Sequence, residues 1–288
     1  MAGSTQIPLE RKAQLIDLAE CIAESNQTNS RTDLASILRS NDLTVYYDTF
    51  PESFDGLLQC RGDHFDIICN ERTGNAPGTK RSRFTIAHEL GHYFIDEHRI
   101  ALKGNLMPSL GEGAKSDERI EREADLFASH LLLPTASFRK AKKKAPPRMA
   151  GIISLARQFD VSVKCTAVRY LTDDGASMVL TFRSWKGEMV WKWFSTSAWN
   201  AGIRKVQPGP VSGGATSNVL RKEDKTREDI EATAIPARYA FVLGDGVHYY
   251  EVFHEETIPL GEFGVLTLFT AQRGALTPLA EILNIRMR

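Results

Sequence analysis

The chain has 288 residues, with 36 basic and 36 acidic side chains, so its formal charge is zero and its pI is about 7.1. That balance excludes a global field drawing it to nucleic acid or membrane, and no apolar run is long enough to span a bilayer. A hydrophobic content of 42% is ample for packed cores, and the length suggests two domains. The N-terminus, Met1 to Lys12, has no apolar signal core. Cys21, Cys60, Cys69 and Cys165 show no metal-ligand spacing and read as free thiols of a reducing cytoplasm.

In chain order, Ala13 to Glu24 reads as an amphipathic helix and Asp33 to Arg39 as the start of a second. Leu43–Tyr47, Gly56–Cys60 and Phe65–Asn70 read as strands of a small antiparallel sheet, and Glu71 to Lys80 as a loop rich in turn formers. Arg81 to His98 has no proline, and Phe84, Ile86, Ala87, Leu90, Phe94 and Ile95 recur at helical spacing, with Ser82 available as a cap. Inside it lies His88-Glu89-Leu90-Gly91-His92, an HExxH sequence. Histidines four apart on a helix sit one turn above each other, so both imidazoles reach one metal ion. Glu89, next to the first, is placed to serve as base toward an attacking water. A chance match arises in roughly one chain in a hundred of this length, and the helical context here argues against one.

A zinc site of this kind needs a third protein ligand and one open position. Glu121 to Pro134 is helical by pattern, with Ala124, Phe127, Ala128, Leu131 and Leu132 on one side. Glu121 and Asp125 share a face, so one suits ligation while the other orients a ligating histidine through its free ring nitrogen. Glu123 points about half a turn away and is the weaker candidate. Taken alone, these acids would read as a solvated face balanced by Arg119 and Arg122. Tyr93, His98 and Arg99 lie close in sequence, but proximity does not make any of them an oxyanion donor.

The basic run Arg139 to Arg148 reads as a solvated connector. Within 152–172, Leu155–Ser162 and Ala167–Leu171 resemble a helix-turn-helix, with Val161 in the core and Ser162 capping the second helix. Packing is its expected role, with DNA contact the minor reading. Asp173-Asp174-Gly175 marks a boundary between a domain over 1–175 and a β-rich domain over 176–288. In the latter, Met178–Ser184 and Glu188–Phe194 form one expected hairpin, and Tyr239–Leu243 with Val247–Phe253 a second. Phe263 to Phe269 reads as a strand and Pro278 to Leu283 as a short helix, while Pro208–Asn218 and Arg221–Glu231 read as exposed connections. Trp185, Trp191, Trp193 and Trp199 read as core aromatics before pocket lining. The expected class is α+β, a zincin-like helical core with a small antiparallel sheet and helix-turn-helix-like helices, plus the β-rich domain.

Arg83 to Tyr93, followed by Glu121 to Ala128 and Leu131-Leu132-Leu133-Pro134, resembles the ImmA/IrrE family of zinc metallopeptidases, with the resemblance strong over about residues 35 to 172. The resemblance implies zinc ligands at His88, His92 and Glu121, a catalytic glutamate at Glu89, and a supporting acid at Asp125. It implies one Zn²⁺ per chain and a cytosolic protein substrate, a helix-turn-helix transcriptional repressor, cleaved to switch on a stress, phage or mobile-element response. It also implies that the C-terminal half senses a signal or selects the substrate. The competing reading is a non-catalytic regulator whose zinc fold is a scaffold for binding DNA, a repressor or a toxin partner. An intact His88, Glu89, His92 and Glu121 set favours the enzyme.

Overall fold

The computed structural model describes residues 7–51, 54–104, 118–173, 177–222, 224, 229–244 and 252–271. They form two compact units, one from residues up to 144 together with 155–165, the other from 145–154 together with residues from 166 onward. The class is α+β, as the sequence predicts.

In the first unit, α1 (Leu9–Ser25) leads through a two-residue-per-strand hairpin, β1 (Gln27–Thr28) and β2 (Arg31–Thr32), into α2 (Leu34–Ser40). Three strands follow: β3 (Thr44–Asp48), β4 (Gly56–Arg61) and β5 (His64–Asn70). Their order is β3-β5-β4, with β4 antiparallel to β5 but β3 parallel to it. The sheet is therefore mixed, not antiparallel throughout. Phe65, Ile67 and Cys69 of β5 are buried, which suits the central position. The chain from 49 to 63 is long enough to return to the same end of the sheet, so β3 and β5 can run the same way.

Next come α3 (Lys80–Phe94), α4 (Asp96–Lys103), α5 (Glu118–Leu132) and α6 (Thr135–Lys142). The hydroxyl of Thr79, rather than that of Ser82, caps α3 by accepting from the Ser82 backbone N–H at 3.1 Å, while Ser82 is buried one turn in. The expected single helix from Arg81 to His98 breaks at Ile95, whose extended backbone (φ −78°, ψ 109°) separates α3 from α4. Helices α3 and α5 meet at Gly91, where an added Cβ would lie 3.1 Å from the Ala124 Cα. Without a side chain at that point, the two backbones approach closely. The basic segment read as a connector is partly α6, whose Phe138 and Ala141 are buried and anchor it.

Helices α7 (Arg148–Phe159) and α8 (Val163–Thr172) form the expected pair. Val161 is buried, and Ser162 accepts from the Cys165 N–H at 3.1 Å as the predicted cap. On α8, Lys164 and Thr172 are exposed and Val163, Cys165 and Val168 partly so, while Thr166, Ala167, Arg169, Tyr170 and Leu171 are buried.

The second unit contains β6 (Met178–Arg183), β7 (Met189–Phe194), α9 (Thr196–Asn200), β8 (Ile203–Val206), α10 (Ala215–Arg221), β9 (Glu231–Pro236), α11 (Ala237–Ala240), β10 (Phe241–Leu243), β11 (Val252–Pro259) and β12 (Val265–Ala271). Five strands form an antiparallel sheet in the order β7-β6-β12-β11-β9. The first hairpin forms as expected. Of the second, 247–251 lies outside the described residues; β10 pairs with β8, and β11 lies between β12 and β9. Tyr239 and Ala240 belong to α11. The expected turn at 245–246, His248 and the helix over 278–283 lie outside the described residues.

The segment read as an exposed connection, Pro208–Asn218, supplies the start of α10. There the backbone N–H groups of Ala215 and Thr216 donate to the fully buried Glu255 carboxylate at 2.9 and 3.1 Å. Thr216 adds its hydroxyl at 2.6 Å. A buried carboxylate needs such donors, and they come from a Pro/Gly-rich stretch that no helical periodicity marks. None of the four tryptophans is core: Trp193 and Trp199 are exposed and, with Lys192, Phe194, Ser195 and Thr196, line an open depression of about 380 Å³.

Candidate metal centre

Helix α3 carries His88, Glu89 and His92, and α5 brings Glu121, Glu123 and Asp125 beside them. The Nε2 atoms of His88 and His92 lie 3.2 Å apart. Glu121 Oε2 is 3.2 Å from His88 Nε2, and its Oε1 is 3.8 Å from His92 Nε2. Two ligands at about 2.0–2.1 Å from a tetrahedral zinc stand about 3.3–3.4 Å apart, so this spacing fits such an ion. Among the described residues, these three form the one His/Cys/Asp/Glu group arranged to hold a metal.

Both ring nitrogens facing the centre are held there from behind. Asp125 Oδ1 sits 2.9 Å from His88 Nδ1. His92 Nδ1 is 3.2 Å from His98 Nδ1, a contact that sequence spacing does not suggest. Glu123, considered as a ligand, lies elsewhere: it is 3% exposed and pairs with Arg11 at 2.9 Å, Arg119 at 3.0 Å and His98 Nε2 at 3.5 Å. Tyr93 packs edge-on against Phe65 with ring centroids 5.4 Å apart, and Arg99 pairs with Asp96. Neither is placed with the His88–His92–Glu121 group by these contacts.

Burial pushes the Glu89 carboxyl up to about 7; the neighbouring His88 pulls it down, Glu121 raises it, and a hydrogen bond from the Leu58 backbone N–H lowers it. For His88, burial works downward, but hydrogen bonds to Asp125 and Glu121 and the nearby Glu89 charge outweigh it and lift the ring to about 10. Burial and the His88 charge lower His92, and the hydrogen bond from His88 lowers Glu121. In the metal-free site, one proton on His88 therefore stands where a cation would neutralise the cluster.

This has a measurable consequence. A group whose pKa rises on folding stabilises below its unfolded value and loses that contribution as pH climbs through the folded value. His88, at about 10 against 6.5, and Glu89, at about 7 against 4.5, act in the same direction. Between pH 7 and 9 the chelator-treated protein is expected to melt at progressively lower temperature, and zinc, by replacing the His88 proton, is expected to flatten that slope. Thermal melts with and without chelator check this, and a flat metal-free profile would contradict the placement of the proton.

Strand β4 lies directly over Glu89. A Cβ at Gly56 would sit 2.3 Å from Thr85 Cγ2 and 2.9 Å from Glu89 Oε1. Gly56→Ala is expected to cost about 1–3 kcal/mol, because either β4 or the Glu89 side chain must move. An unchanged denaturation midpoint would show that the strand shifts freely. Among the described residues, β4 is the terminal strand of its sheet, with one edge that pairs with no other strand.

The Peptidase_M78 model, described as the IrrE N-terminal-like domain, matches residues 75–171, a span that contains α3, α5 and with them His88, Glu89, His92, Glu121 and Asp125. No curated protein sequence matches the chain significantly. Among solved structures, one described as a Mycobacterium tuberculosis transcriptional regulator is similar, with 17% identity, a TM-score of 0.57 and 92% of each chain covered. At that identity the likeness concerns fold alone. No helix among the described residues is long and apolar enough to cross a membrane.

Proposed function

We propose that the protein, whose residues 75–171 match the IrrE N-terminal-like domain, is a zinc-dependent, site-specific endopeptidase. Its substrate in this reading is a cytosolic regulatory protein, a helix-turn-helix transcriptional repressor, whose cleavage switches on a stress, phage or mobile-element response. The observation that carries it is the convergence of His88 Nε2, His92 Nε2 and the Glu121 carboxylate, with Glu89 buried alongside.

His88, His92 and Glu121 would hold one zinc ion, which supplies Lewis acidity toward carbonyl and water oxygens. Two imidazoles and a carboxylate suit zinc among the common divalent ions. Asp125 keeps His88 in the Nδ1–H tautomer, so that its Nε2 lone pair faces inward. Glu89 is the general base and acid. It takes the proton of the attacking water and returns it to the leaving amine, a role commonly worth about 10²–10⁴ in rate. Burial raises the Glu89 carboxyl above the range of a solvated glutamate, which strengthens it as a base.

The free edge of β4 offers backbone groups to an extended substrate segment close to Glu89. Residues 176–288 form the domain that senses a signal or selects the substrate, and their exposed Trp193 and Trp199 support a recognition role. The direct test is metal content of the purified protein together with a cleavage assay against the repressor-like protein encoded beside it. One zinc per chain and a single defined cut are expected. Bound zinc with stable partner binding and no cut by the wild type would overturn the reading in favour of a scaffold.

A further inference from the structure

We propose that His98 is a positioning residue for His92: a buried chain from Arg11 through Glu123 and His98 fixes His92 with its Nε2 turned to the metal centre. This rests on the reading of His92 as a ligand. His98 and Glu123 are each 3% exposed, so the part of the chain next to His92 is shielded from water. His92 Nδ1 and His98 Nδ1 are 3.2 Å apart, and His98 Nε2 is 3.5 Å from Glu123 Oε2. Two Nδ1 atoms share one proton. Glu123 accepts from His98 Nε2–H, which leaves His98 Nδ1 as the acceptor and His92 Nδ1–H as the donor. His92 Nε2 then carries the lone pair, and that atom is the one 3.2 Å from His88 Nε2.

Glu123 stays an acceptor because Arg11 donates to its Oε2 at 2.9 and 3.0 Å and Arg119 to its Oε1 at 3.0 Å. Glu97 holds Arg11 from its other side at 3.0 and 3.2 Å. The two histidines of the motif are thus anchored differently. His88 has a carboxylate directly behind it, half-exposed on α5, whereas His92 reaches its carboxylate through a second imidazole. The break at Ile95 makes this reach feasible, because in one continuous helix residues six apart face directions about 120° apart.

A role confined to packing is separated from positioning by following the metal. Zinc affinity by chelator competition, the visible spectrum of the Co²⁺ form and metal-free melting would be compared for wild type, His98→Leu, His98→Asn and Glu123→Gln. His98→Leu is expected to bind zinc 10–100-fold more weakly, the scale for losing an outer partner of a ligand, and to shift the Co²⁺ bands. His98→Asn, whose side-chain carbonyl can accept from His92 Nδ1–H, is expected to recover most of that loss. Glu123→Gln, which keeps an acceptor, is expected to weaken zinc severalfold and keeps the proposal testable if the leucine variant does not fold. Wild-type affinity and spectrum in folded His98→Leu, or in folded Glu123→Gln, would overturn it. Absence of metal from the wild-type protein would instead bring down the zinc reading itself, and this proposal with it.

Discussion

Glu89→Gln is expected to retain one zinc per chain, to cut its substrate about 10²–10⁴-fold more slowly, and to melt higher than wild type once metal is stripped. The first two outcomes follow from chemistry: the amide is nearly isosteric, so the ligand atoms stay in place, but it cannot take up or return a proton. The third follows from burial. Glu89 is 5% exposed, and its carboxyl is held from 4.5 up to about 7, so at pH 8 the folded protein carries a carboxylate that the unfolded chain would ionise more readily. A rise of that size corresponds to roughly 3 kcal/mol above pH 7 and to nothing below about pH 4.5. Glutamine has no charge to bury, so its advantage should grow as pH rises from 5 to 8. A bound cation stabilises the carboxylate, so the advantage should shrink with zinc present. Cleavage kinetics, zinc content and paired melts at two pH values test all three outcomes. Wild-type cleavage by the variant would remove Glu89 from the mechanism, and equal metal-free stability at pH 8 would show that the carboxylate is better solvated than its position implies.

Removing a ligand should act on the metal first. His88→Ala and Glu121→Ala are expected to lose zinc by more than the roughly 10–100-fold that an outer-partner change costs, and to be purified with little metal and no cleavage. Each leaves two protein ligands where three are needed beside an open position. His88→Ala also removes the ring that carries the proton of the metal-free site, so its melts should lose the part of the pH 7 to 9 slope that His88 supplies. Glu121→Ala separates the acids of α5. Undiminished zinc in that variant would transfer the third position to a neighbouring carboxylate, Asp125 being the nearest to His88 at 2.9 Å. Metal analysis and chelator competition decide the point without any substrate.

Much of the centre was readable along the chain because its geometry is local. Two histidines four apart share a helix face by the pitch of the helix alone, and the same periodicity sets Glu121 and Asp125 on one side of α5 and Glu123 on another. Two apolar runs flanking Trp185-Lys186-Gly187 located β6 and β7, and Ser162 announced the start of α8 because capping needs only the next three residues. What periodicity could not supply were contacts between residues far apart in sequence or across an interruption. Glu123 was a spare acid until Arg11, 112 residues away, and the break at Ile95 gave it partners. Strand patterning marks Phe241–Leu243 as a segment that pairs but not that β8 is a neighbour, because the pattern does not name the edge. In sequence the start of α10 looks solvent-exposed, because a Pro/Gly-rich stretch carries no mark of the buried Glu255 it must satisfy.

The residue types able to bind a metal and move a proton, and their grouping on two helices, are properties of the chain itself: side-chain chemistry and helical pitch are local. The distance between those helices, set where Gly91 lets α3 meet Ala124, and the orientation of His92 through His98, depend on packing. Close approach and burial are relations between segments, and they exist only once the chain has folded around them.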